Sequence, residues 1–207
     1  MSFDYIAHHL TGAWMLLRGN ADGFDHFDLT VQGFWRSFFV MIVALPFFGF
    51  ALYASHSMNL EVAASAPNYD FVIPYAAYFF VFTGLGYVKW IGYLMMMGPL
   101  TRYFGAAPYY LNFVVAYNWS TLLTMLVSLP LYLAQQLGWV SIEFFYLVDF
   151  MLLFVFIAYG WFITCIALKI DKLDAAALVA VELMLFLIAG RIAASIFTAF
   201  PPEIPQM

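Results

Sequence analysis

"VELMLFLIAGRIAASIF" (residues 181–197) is the stretch on which the fold turns. It is apolar enough to be most of a membrane-spanning helix, which needs about 20 such residues. Yet it carries Glu182 and Arg191. Charges at membrane depth are costly and mark either a functional site or a specific partner. At about 100° and 1.5 Å per residue, these two side chains point to opposite helix faces, about 13 Å apart along the axis. They do not neutralise each other within a straight helix, so each requires a partner on another element.

The rest of the chain has the same character. Of 207 residues, 66% are hydrophobic and 9% charged, and the mean hydropathy is +0.91. A soluble domain carries roughly a quarter charged residues, so the chain reads as an integral membrane protein. Aromatic residues make up 21%, enough to anchor many helix ends at the membrane interfaces. The net charge of −5 comes with no basic patch to hold phosphates, so no nucleic acid partner is expected. The single cysteine, Cys165, allows neither an intrachain disulfide nor a CxxC pair. No HExxH, P-loop, nucleophile elbow or dinucleotide fingerprint occurs. No catalytic, cofactor or metal site is therefore expected.

Five segments are long enough to span: about Phe34–Ser55, Phe71–Met97, Tyr110–Leu137, Phe144–Leu168 and Leu173–Phe200. The expected fold is an all-α, polytopic transmembrane bundle over residues 34–200. A cytoplasmic segment, 1–33, precedes it and a short tail, 201–207, follows. The first apolar run is too long for a signal-peptide core and reads as a retained signal-anchor; "ASA" at 64–66 lies past it. In the N-terminal segment, Phe3, Ile6, Ala7, Leu10, Trp14 and Leu17 fall on one helical face. This helix is too polar to span. It is expected to lie on the cytoplasmic leaflet or to pack under the bundle.

Six of the seven basic residues, Arg18, Arg36, Lys89, Arg102, Lys169 and Lys172, fall on the same side of a five-span path. The positive-inside rule then gives a cytoplasmic N-terminus and an outside C-terminus; the compact chain with its short loops looks bacterial, so a bacterial inner membrane is expected. Lys89-Trp90 reads as an interfacial anchor of span two, and Gly98-Pro99 as its stop. "DGFDHFD" (22–28) reads as a solvated acidic loop whose Asp28 or Thr30 caps the helix into span one. Its spacing fits no calcium or zinc pattern. His8, His9 and His56 read as surface residues.

Within the spans, the polar candidates are Asn118, Asp149, Glu182 and Arg191. The short "KIDKLD" turn (169–174) makes the last two spans antiparallel neighbours. It brings Asp149 and Arg191 to similar depth, so an interhelical ion pair is expected. Asn118 matches the depth of Glu182 and would donate to it, unless Glu182 is carried as the neutral acid. Such groups serve either as polar glue between helices or as a proton or ion path.

Three stretches carry a family resemblance: "GFWRSFFVMIVALP" (33–46), "LTRYFGAAPYYLNFVVAYNWSTLLTMLVSLP" (100–130) and "YGWFITCIALKIDKLDAAALVAVELMLFL" (159–187). The second has Arg and Gly, a short polar step, then a helix with Tyr and a later Pro. The third has a Trp-bearing aromatic helix, a short basic turn and an Ala-rich last helix. Together they resemble the Yip1/YIPF family of five-span membrane proteins over about two thirds of the chain. The resemblance implies a noncatalytic protein that organises the bilayer or partner proteins; eukaryotic members are linked to vesicle trafficking, small GTPases and membrane shaping. The long polar N-terminal region of those members is missing here. The expected partners are the lipid bilayer and a membrane protein or a second copy. The competing expectations are a small transporter or channel using the four polar residues, and an accessory subunit of a larger complex.

Overall fold

The computed structural model describes residues 2–64 and 73–199. The tail 201–207, and "ASA" beyond Ala64, lie outside the described residues. Seven α-helices follow in order: α1 (Phe3–Leu17), α2 (Val31–Ser37), α3 (Val40–Ala64), α4 (Tyr75–Tyr103), α5 (Tyr110–Gln136), α6 (Ile142–Leu168) and α7 (Lys172–Ala199). No strand occurs among the described residues.

The boundaries have local causes. Ser2, Thr30 and Ser141 cap α1, α2 and α6 by accepting from Tyr5 N, Gly33 N and Phe144 N. Asp171 caps α7, its Oδ1 accepting from Leu173 N and Asp174 N at 2.9 Å. At the other ends, Gly19, Gly105 and Gly138 adopt φ of 78°, 69° and 70°. In each case the next N–H reaches back five residues, as in Ala106 N to Thr101 O at 2.7 Å. This closure needs a left-handed residue, which glycine adopts without strain.

Five helical segments are long and apolar enough to cross a membrane, and the chain is an all-α five-span bundle. The spans close a ring in the order α3, α4, α7, α6, α5, back to α3. α3 and α5 run parallel, and every other neighbouring pair is antiparallel. Arg18, Arg36, Arg102, Lys169 and Lys172 gather at one end of the ring, referred to below as the basic end. A core around Trp90, Tyr93, Phe113 and Trp119 fills the bundle on that side.

Three expectations about boundaries change. The first span breaks at Phe38–Phe39, between α2 and α3. Gly98-Pro99 does not stop the second span: α4 runs through Pro99 to Tyr103. One proline forfeits a single N–H and bends rather than ends a long packed helix; the stop comes at Gly105. Lys89 consequently lies mid-helix rather than at an interface.

α1 packs against α5, α6 and the 3₁₀ turn Ala21–His26. Its buried face is His9, Gly12, Ala13 and Leu16, turned away from the apolar face read in the sequence. That apolar face is only its flank: Ile6, Leu10 and Leu17 still pack against the core, while Phe3 and Trp14 look outward, 82% and 46% exposed. Gly12 explains the choice. A Cβ there would stand 2.6 Å from both Gly23 O and His26 Cβ, so only glycine permits the approach. The acidic stretch 22–28 packs onto α1 through Gly23 and Phe27, while Asp22 and Asp25 stay exposed to solvent as expected. His9 and His56 are buried rather than surface residues.

Candidate functional site

A groove of about 760 Å³ lies between α3, α4, α5 and α7. Its walls are largely apolar, with Leu45, Phe48, Phe82, Met125 and Leu187 among them. It exists because α5 and α7 do not pack closely: the ring joins them only through α4 and α6. Three polar side chains bridge this gap. Tyr117 of α5 donates to Glu182 Oε1 of α7. Lys89 Nζ of α4 lies 3.7 Å from the same oxygen. Among the described residues, this is the ion pair present. Lys89 and Tyr117 line the groove, as does Arg191.

Asn118 does not reach Glu182. One residue on from Tyr117, it is turned about 100° away and is fully buried. Its Oδ1 accepts from Trp90 Nε1 at 3.0 Å, and its Nδ2 donates to Ser37 Oγ at 2.8 Å. Ser37 in turn donates to Phe34 O at 2.7 Å. Asn118 thus ties α2, α4 and α5 together.

Asp149 and Arg191 do not pair either. The residues α7 buries, Ala175, Leu178, Val179 and Ala193, form one stripe. At about 100° per residue, Glu182 falls about 20° from the Ala175 direction and Arg191 about 160° from it. Arg191 therefore faces away from α6, onto the rim of the groove. Asp149 instead lies close enough to Tyr132 of α5 to act on it electrostatically. The expected ion pair fails on facing direction, which the turn at 169–174 does not set. None of the four sequence candidates bonds to another among the described residues.

Sequence reading missed Lys89 and Tyr117 as partners of Glu182. Lys89 already lay inside the expected second span, which was the available signal. It also missed two ties at the basic end. The Tyr159 hydroxyl of α6 donates to Ala13 O at 2.7 Å, and Ser120 Oγ lies 2.9 Å away. His9 Nδ1 bonds to Tyr5 O at 2.7 Å, while its Nε2 accepts from Asp28 N at 3.1 Å. This pattern assigns the neutral ring with its proton on Nδ1. Burial lowers the His9 pKa, as expected for a ring against Trp119 (centroids 4.6 Å apart). Asp28 is lowered chiefly by the Thr30 hydroxyl, which donates to it at 2.6 Å. Tyr5 is raised, first by burial and then by Asp28.

No group of three or more His, Cys, Asp or Glu side chains that could hold a metal occurs among the described residues. What the groove offers chemically is an apolar wall, one neutralised ion pair and one further cation. No protein-family model, curated protein or solved structure matches this chain.

Proposed function

We propose that this integral membrane protein is a noncatalytic organiser of the bilayer or of a membrane partner, with its basic end in the cytoplasm of a bacterial inner membrane. The three sequence stretches that resemble the Yip1/YIPF family support this reading. The observation that supports it best is the basic end. There α1 is fastened to the bundle by Tyr159 and His9, and a cleft is lined by Ser2, Tyr5, Gln32, Trp35, Arg36 and Phe39. Trp35 is largely exposed, as is Phe3 beside Ser2. Aromatic and basic side chains on a fastened helix suit a membrane surface with anionic lipids. Arg36 stands over the Tyr5 ring, 5.6 Å from its centroid, which holds it at this rim.

Vesicles containing the purified protein test the reading. Wild type should change vesicle size or curvature, and Phe3→Ala with Trp35→Ala should reduce the change. A wild type that leaves vesicles unaltered and crosslinks only to itself in native membranes defeats it. Single-cysteine variants in a Cys165→Ser background test orientation: a thiol at Asn20 should label only from the cytoplasmic side.

A small transporter is the second reading, favoured by the Lys89–Glu182 pair that abuts the groove. Proteoliposome flux that is lost in Glu182→Gln would support it; wild-type vesicles without solute or proton flux would end it.

A further inference from the structure

Among the described residues, Arg191 is the cation within the spans that the bundle leaves unanswered. It makes no hydrogen bond or ion pair among the described residues, whereas Lys89 is matched by Glu182. The groove therefore carries one positive charge in excess. A guanidinium stays charged under all ordinary conditions, so an anion or the aqueous interface has to meet it.

Position narrows the choice. Arg191 lies eight residues from Ala199, about 12 Å from the end of α7. α7 is about 42 Å long and the hydrocarbon core is about 30 Å thick. With α7 centred, Arg191 sits about 6 Å below the headgroups, within reach of a snorkelling side chain. Below it the groove descends about 13 Å towards Tyr117 and Glu182, close to the thickness of one leaflet. The volume falls within the roughly 300–1,000 Å³ typical of small-molecule sites. A single cation at headgroup level above a leaflet-deep apolar slot matches the shape and charge of a lipid with one negative headgroup.

We propose that this groove binds one anionic phospholipid from the leaflet opposite the basic end. Its phosphate is held by Arg191, and one acyl chain lies along Phe48, Phe82 and Leu187 towards Tyr117. The site is distinct from the aromatic rim at the basic end and stands without the organising role.

Native mass spectrometry of the delipidated protein, titrated with phosphatidylglycerol or phosphatidylcholine, tests the proposal. Wild type should favour phosphatidylglycerol by about tenfold or more, as expected for a charge-assisted contact. Arg191→Gln should bring the two lipids to near equality, and Arg191→Lys should keep most of the preference. Gly190→Leu should weaken both lipids several-fold, because it fills the slot. A Cβ on Gly190 meets nothing within 4 Å, so this variant is expected to fold. Equal binding of both lipids by wild type overturns the proposal. So does an undiminished preference in Arg191→Gln, or a fatty acid or a protein chain recovered in the groove in place of phospholipid.

Discussion

Lys89 and Glu182 face each other across the α4–α7 contact, 3.7 Å apart, with their side chains 23% and 24% exposed. Each comes from well inside a spanning helix, and Tyr117 of α5 donates to the same carboxylate. One carboxylate therefore gathers three helices where α5 and α7 do not pack closely. Removing either charge alone leaves the other without its partner in an apolar setting. Lys89→Met and Glu182→Gln should each lower thermal stability in detergent, and the double variant should lose less than the sum. The expected coupling is roughly 0.5–3 kcal/mol. Strict additivity would refute the pairing.

The opposite result is expected for Asp149 and Arg191, which face different elements. Asp149→Asn and Arg191→Gln should add to within about 0.5 kcal/mol. A coupling well above that, measured in the same unfolding assay, would restore the ion pair that helix facing rules out.

Asn118→Leu should cost about 1–3 kcal/mol, because it strands the buried Trp90 N–H in the core. Ser37 keeps its bond to Phe34 O and loses only its donor. Adding Trp90→Phe, which removes the stranded N–H, should recover part of the loss. If Asn118→Leu proves neutral in thermal melts, Asn118 is not the tie between α2, α4 and α5.

Gly12→Ala places a methyl group against Gly23 O and His26 Cβ. Overpacking of this kind costs about 1–3 kcal/mol. The damage should be local: the 21–26 turn lifts from α1, and trypsin cuts faster after Arg18. Unchanged cleavage would mean that the turn tolerates the methyl.

His9 makes α1 docking sensitive to pH. Its folded pKa lies below the unfolded value of about 6.5. Between the two values the unfolded chain binds more protons, so stability falls as pH falls below about 6.5. The protonated ring would also turn Nε2–H onto the Asp28 N–H. His8, His26 and Asp28 surround it. Asp28, itself lowered, loses its own contribution only below about pH 4. Measured relative to an unstructured Arg-containing peptide at the same pH, which removes trypsin's own pH dependence, cleavage at Arg18 should therefore speed up from pH 7 to pH 5.5 in wild type. In His9→Gln this ratio should not change with pH. An equal acceleration in both would assign the effect elsewhere.

Much of the architecture was legible in the residues. Hydropathy alone marks five spans, because hydrocarbon demands about 20 apolar residues whatever the neighbours do. The glycines at 19, 105 and 138, and the caps at Thr30 and Asp171, act within a few residues of themselves. The depth of Glu182 and Arg191, and their opposite faces, follow from helix geometry. What sequence could not decide was which neighbour each face meets. The turn at 169–174 makes α6 and α7 neighbours but leaves the rotation of α7 free. That rotation is set by burial of the small-residue stripe at Ala175 and Ala193, and it sends Glu182 towards Lys89 and Arg191 to the groove. Likewise, α1 presents a clear apolar face, yet it docks through Gly12 and Ala13. Close backbone approach depends on the shape of the partner surface, which no single helix encodes.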